Sequence, residues 1–150
     1  MDNTQALQGQ IDALFQSQQL AVLATQSGGQ PYTSLVAFSA SSDLKNLYFV
    51  TPRNTRKFNN IVSDSRVSLL IDNSSNQTTD FHRAMAVTAV GHATEIDMAG
   101  APQQTAQYLL RHPHLREFVD APTTALVRVA VRSYYLVQQF QNVTELHFSS

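Results

Sequence analysis

The large apolar residues between positions 2 and 19 fall at Leu7, Ile11, Leu14 and Phe15, the spacing of one helical stripe, and glutamine fills most of the opposite face. Thr4 is placed to cap this helix, which should lie on the surface with one stripe buried. The period then changes. Leu20–Thr25 is a short apolar run, Gly28-Gly29 punctuates the next few residues, and Pro31 to Ala40 reads as a second strand, so the two form a hairpin. A turn over Ser39–Asn46 and a third run, Leu47–Thr51, predict a three-stranded antiparallel meander. Pro52 ends the third strand because it has no N–H to give to a ladder.

A short helix is predicted over 54–63, capped by Asn54 or Thr55, with Phe58, Ile61 and Val62 on one face. Arg66–Asp72 is a fourth strand, and Asn73–Asp80 a polar loop. Phe81–Ile96 reads as one long strand with Gly91 at a bulge or bend. A further helix begins near Pro102 and carries Ala106, Leu109 and Leu110. His112-Pro113-His114 interrupts it, Leu115–Val119 adds a turn, and Thr124–Gln138 is the last strand. Six strands with helices around them predict an α+β, mainly β, fold built on a small antiparallel barrel.

Composition narrows the function classes. At 150 residues the chain is long enough for one domain, 1–150, with its own core and no need of metal or disulfide staples. Hydrophobic residues make up 43% and charged residues 14%, and the net charge is −1, so no general attraction to nucleic acid or an anionic membrane is expected. The absence of cysteine removes thiol nucleophiles and thiolate metal sites. No basic-then-apolar leader and no run of membrane-spanning length is seen, and the expected location is cytoplasmic.

The most chemically pointed stretch is Tyr48–Arg66. It places Arg53, Arg56 and Lys57 around a predicted helix start, beside the hydroxyls of Thr51 and Thr55. The first amides of a helix have no intrahelical partners, so they suit an anion, and a guanidinium, an ammonium and two hydroxyls would complete a phosphate site. A solvated basic turn is the competing reading of the same residues. No Ser/His/Asp set, carboxylate pair or dinucleotide glycine fingerprint stands at a suitable spacing. Of the five histidines, His112 and His114 read as surface or capping residues, and His92 after Gly91 stands out for acid–base or ligand work. Arg128 and Arg132 lie on the face of the last strand opposite Val127, Val129 and Val131, so they are expected to be exposed or to meet a partner.

The order of elements and the words LAT, GG-Q-P, SLVAF, LYFVT, TRK, RVSLLIDN and AVTAVGHATEI resemble the FMN-binding split-barrel family typified by pyridoxamine 5′-phosphate oxidase, over about residues 18–138. The resemblance implies a six-stranded, Greek-key-like split β-barrel. It implies FMN, with Thr51, Thr55, Arg56 and Lys57 on the phosphate. It places Ser34, Leu35 and Val36, with Tyr48 or Phe49, near the ring, largely through backbone groups. It also implies a homodimer with flavin sites at the interface and a small-molecule substrate. Two positions depart from the oxidase itself: Thr33 and Phe38 stand where it carries basic residues, and the terminal segment Glu145–Ser150 lacks its arginine-containing motif. A true pyridoxamine 5′-phosphate oxidase is therefore not expected, and Phe38 beside the ring would suit a less charged substrate. The alternatives are a non-catalytic or haem-binding, haem-degrading split barrel with His147 or His92 as ligand, and a deazaflavin in the same cradle. An oligonucleotide-binding barrel would need aromatic and basic residues along one groove, which the clustering of cations at one turn speaks against.

Overall fold

The computed structural model describes residues 3–139 and 142–149, so Ser150 of the terminal segment lies outside the described residues. The elements in chain order are α1 (Asn3–Ser17), β1 (Leu20–Ser27), β2 (Gln30–Ala37), β3 (Ser39–Ala40), β4 (Asn46–Pro52), α2 (Arg56–Ser63) and β5 (Arg66–Asp72). Then follow α3 (Asp80–Arg83), β6 (Met85–Ile96), α4 (Pro102–Arg111), α5 (Arg116–Asp120), β7 (Thr124–Gln138) and β8 (Asn142–His147).

Among the described residues the strands form one curled antiparallel sheet of eight, where six were expected, in the order β2-β1-β5-β6-β7-β4-β3 with β8 beside β7. The long β7 pairs β6 on one side; its other side is shared by β4 along 124–130 and β8 along 133–138. The β1–β2 hairpin turns at Gly28 and Gly29, whose φ values of 56° and 84° are open to glycine at little cost. That turn sets Thr25 opposite Tyr32 and Leu23 opposite Ser34.

The predicted meander is not formed. β2 ends as an edge strand, and the chain crosses to the other side of the sheet, where β3 and β4 join β7. The reason sits at Phe38. Its side chain is fully buried, edge-to-face with Phe15 of α1 at 5.4 Å between ring centroids, and its amide donates to the Gln19 carbonyl at 3.3 Å. Burying that ring beneath α1 prevents the chain from folding back along β2.

The core lies on the inner face of the sheet. Leu7, Ile11, Leu14 and Phe15 of α1 close it, as their spacing predicts, against Leu23, Leu69, Ile71, Val127, Tyr134 and their neighbours. The helix already includes Thr4, which therefore does not cap it. A second cluster forms on the other face of β4 and β7, where Tyr48, Val50 and Leu126 pack under Tyr108 of α4 and Val119 of α5. In α2, Phe58 and Ile61 are buried but Val62 is 71% exposed. The third inward position belongs to Asn60, whose Nδ2 donates to Thr25 Oγ1 at 3.0 Å and ties the helix to β1.

β6 begins at Met85 rather than Phe81, because the preceding residues make a helical turn around Asp80. The Asp80 carboxylate accepts the amides of Ser75 and Gln77, which winds the polar loop into that turn. The bulge at Gly91 is present: the β6–β7 register shifts between Val90 and Gly91 and leaves Arg132 unopposed. Arg128 and Arg132 are exposed, as expected of their face. No helix among the described residues is long and apolar enough to cross a membrane.

Candidate functional site

The site is assembled where β4 hands over to α2. Thr55 is the N-cap, in extended conformation (φ −99°, ψ 156°), and its Oγ1 accepts the Phe58 amide at 3.3 Å. The Asn59 amide reaches the Thr55 carbonyl at 3.1 Å, so the amides of Arg56 and Lys57 precede the first intrahelical bond. Thr51, at the end of β4, places its hydroxyl 3.0 Å from that of Thr55, and both hydroxyls also reach the Pro52 carbonyl. A cap, two amides that precede the first intrahelical bond, and the consecutive residues Arg56 and Lys57 thus stand at one helix start, whose dipole favours a negative group.

Arg53 leaves this cluster, contrary to its predicted place. Its guanidinium pairs with Glu95 at 2.6 Å and donates to the Pro122 carbonyl at 3.0 Å. The pairing holds the Arg53 pKa above its ordinary value, first through the Glu95 hydrogen bond. In its place stands Tyr32, which the residue pattern did not single out. Its ring lies 5.4 Å from the Arg56 guanidinium carbon. The signal that places it is the hairpin register: Tyr32 faces Thr25, and Thr25 is bonded to Asn60 of α2.

The strands flanking the cluster leave an opening. β2 is an edge strand, and β3 covers only Leu47 and Tyr48 of β4, so Phe49 to Pro52 keep that backbone edge free of a ladder. β2 and β4 approach one another across this gap without pairing. The start of α2 spans it, touching β4 through Thr51 and β2 through Tyr32.

Ser34, Leu35 and Val36 lie on β2 and alternate in direction. Val36 faces the core, Leu35 is 62% exposed on the outer face, and the Ser34 Oγ is buried with no hydrogen-bond partner among the described residues. A hydroxyl left buried and unpartnered costs free energy unless a ligand or water satisfies it. Phe49 turns its ring into the main core and Tyr48 packs against α4, so at these two positions of β4 only backbone groups are available to a ligand. Phe38 is likewise withdrawn from any ligand surface.

Two histidine arrangements were not legible beforehand. His112 is buried, not superficial: its ring meets the Phe38 carbonyl at 2.8 Å and lies against Tyr108. His147 sits between Ser133 Oγ, 2.6 Å from Nδ1, and Glu145, 2.8 Å from Nε2. Ser133 is buried in mid-strand between the β6 and β8 ladders, a poor setting for a nucleophile, which needs access and free amides for an oxyanion.

The profile of the pyridoxamine 5′-phosphate oxidase family matches residues 7–138, and the chain belongs to this FMN-binding split-barrel family. Solved structures share the fold at low identity. A haem binding protein from Mycobacterium smegmatis is 16% identical, with a TM-score of 0.78 over 91% of this chain and 56% of that one. General Stress Protein 26 from Bacillus anthracis is 17% identical, with a TM-score of 0.73 over 95% and 98%. A FAD-binding protein from Mesorhizobium loti is 17% identical, with a TM-score of 0.68 over 85% and 89%. No curated protein matches the chain.

Proposed function

We propose that the chain is an FMN-dependent oxidoreductase acting on a small organic molecule. What supports this is the pairing of the Thr51 and Thr55 hydroxyls at the capped start of α2, whose first residues are Arg56 and Lys57, at the gap between β2 and β4. In this reading the phosphate receives the Arg56 and Lys57 amides and side chains, and the two threonine hydroxyls rotate from the Pro52 carbonyl to donate to it. The ring enters the gap, where the free edge of β4 and the Ser34 hydroxyl meet its polar rim; the orphaned Ser34 Oγ fits such a ligand. When bound, the flavin supplies reversible electron and hydride acceptance, and the protein orients and tunes it. Position 38, a phenylalanine committed to the core, supplies no cation of its own to a substrate phosphate, which speaks against pyridoxamine 5′-phosphate.

A second copy of the chain completes the proposed site. Leu35, Val22 and Leu70 are consecutive partners across β2, β1 and β5 on the outer face, with Leu35 62% and Leu70 41% exposed. An apolar row of this kind suits burial against its own copy. Sedimentation at micromolar concentration should show a dimer, and Leu35→Glu with Leu70→Glu should shift it to monomer.

Reconstitution tests the cofactor. Purified protein incubated with FMN should retain the flavin bands after desalting, and Arg56→Ala with Lys57→Ala should weaken binding at least about a hundredfold, from two lost charge-assisted contacts. A wild-type protein that stays colourless would overturn the reading. The same titration with a deazaflavin compares the two rings in one cradle. A haem reading draws on the fold shared with the mycobacterial haem binding protein. His147 has both ring nitrogens engaged, whereas His92 is bonded through Nδ1 to Ser65 at 3.0 Å and would offer Nε2. A haemin Soret shift lost in His92→Ala would favour that reading over flavin.

A further inference from the structure

We propose that the cleft between α1, α4 and the segment 38–42 is a second binding site, for a small aminocarboxylate with an apolar body. The cleft has a volume of about 560 Å3. Asp12 and Gln16 line it from α1, and Gln107 and Arg111 from α4. Each pair is spaced i, i+4, so each shares one helix face, and the two faces meet across the cleft. Leu110, 84% exposed, supplies apolar wall at the mouth, and the fully buried Phe38 ring lies behind the Arg111 guanidinium.

Arg111 is the reason to expect an anion. Its Nε donates to the Phe38 carbonyl at 3.1 Å, and its Nη2 donates to the carbonyls of Phe15 and Gln18. These contacts button α4 to the C-terminal end of α1, where a cation is welcome. All three partners are neutral, they use only Nε and Nη2 of a five-donor fork, and no carboxylate pairs with this guanidinium among the described residues. Burial pushes the Arg111 pKa down, as expected of a cation without a counter-ion. Stacking over Phe38, at 5.3 Å, holds the guanidinium in place.

Asp12 sets the other end of the ligand. Its carboxylate on the facing helix would repel a plain dianion and attract an ammonium, while Gln16 and Gln107 offer amides to either group. The cleft lies apart from the anion cradle, since Tyr32 and Phe38 are separated by about 20 Å of extended chain. The proposal thus goes beyond the flavin reading and stands without it.

The test is an amide-resolved NMR titration of the full chain with 4-(aminomethyl)benzoate, benzoate and benzylamine, with FMN binding measured separately. Saturable shifts at Phe38, Ser39, Gln107 and Arg111 are expected, with the aminocarboxylate at least about tenfold tighter than either half-molecule. Asp12→Asn, at an exposed surface position, should reduce the aminocarboxylate to the affinity of benzoate. Arg111→Lys should weaken both acids alike, and its own spectrum reports whether α1 remains docked. The proposal is overturned by the lack of saturation at about 10 mM, by equal affinity for wild type and Asp12→Asn, or by shifts confined to Tyr32, Arg56 and Lys57.

Discussion

The Arg56 guanidinium lies 5.4 Å from the ring of Tyr32, across the gap between α2 and the hairpin edge. An arginine at a helix start has many rotamers, and an aromatic face beside it reduces how many must be lost when an anion binds. Such a contact at a partly exposed site contributes about 0.5–1 kcal/mol. Tyr32→Ala is therefore expected to weaken FMN binding about two- to fivefold, while Tyr32→Phe should leave it near wild type. Quenching of flavin fluorescence during titration measures both.

Gly91 answers to backbone rather than to side chains. A β-carbon there would stand 2.2 Å from the Ala130 carbonyl oxygen and 3.0 Å from the Val131 α-carbon, atoms fixed in the β6–β7 ladder. Relief requires the strands to part at the bulge. Gly91→Ala should cost about 3 kcal/mol, read as a lower urea midpoint at unchanged slope.

Periodicity revealed α1, the hairpin, α2 and the long β7, because each has enough buried positions to make its repeat visible. β8 has a single buried residue, Leu146, among six, so its pairing with β7 leaves no alternation to read. β3 is two residues long. The path of the chain after β2 depends on one ring, Phe38, whose burial comes from α1 and α4, distant in sequence. The same distance hid the partners of single residues: Arg53 meets Glu95 and His112 meets Phe38 across long stretches of chain. The threonines, Arg56 and Lys57 were legible as a group because cap, cations and hydroxyls all lie within a few consecutive residues.

Asn60 is a polar side chain in a buried position, and its one described partner is the Thr25 hydroxyl at 3.0 Å. Thr25 is buried too, so removing the amide leaves that oxygen with only a long contact, 3.5 Å, to the Tyr32 carbonyl. Asn60→Ala should cost about 1–3 kcal/mol. Because the bond ties α2 to the strand that carries Tyr32 across the hairpin, flavin affinity should fall as well. Comparing Asn60→Ala with Val62→Ala, at an exposed position of the same helix, separates the bond from helix propensity.

His112 makes stability depend on acidity. Its ring is buried between Tyr108 and the Phe38 carbonyl, and burial, aided by the nearby Arg111 and His114, lowers its pKa below the ordinary histidine value. In the unfolded chain the group titrates near about 6.5. Just below that pH the unfolded state binds the proton and the folded state does not, so protonation favours unfolding. Stability should be full above about pH 7 and fall as the pH drops through the unfolded value toward the folded one. Asp43, Asp64 and Asp80, whose pKa values are lowered from ordinary carboxylate values, contribute in a separate and more acidic range. His112→Gln keeps an N–H donor for the Phe38 carbonyl and has no titration. Urea unfolding at pH 5, 6 and 7 should therefore show a decline for wild type and a flatter profile for the variant, whereas parallel profiles would exclude His112 as the source.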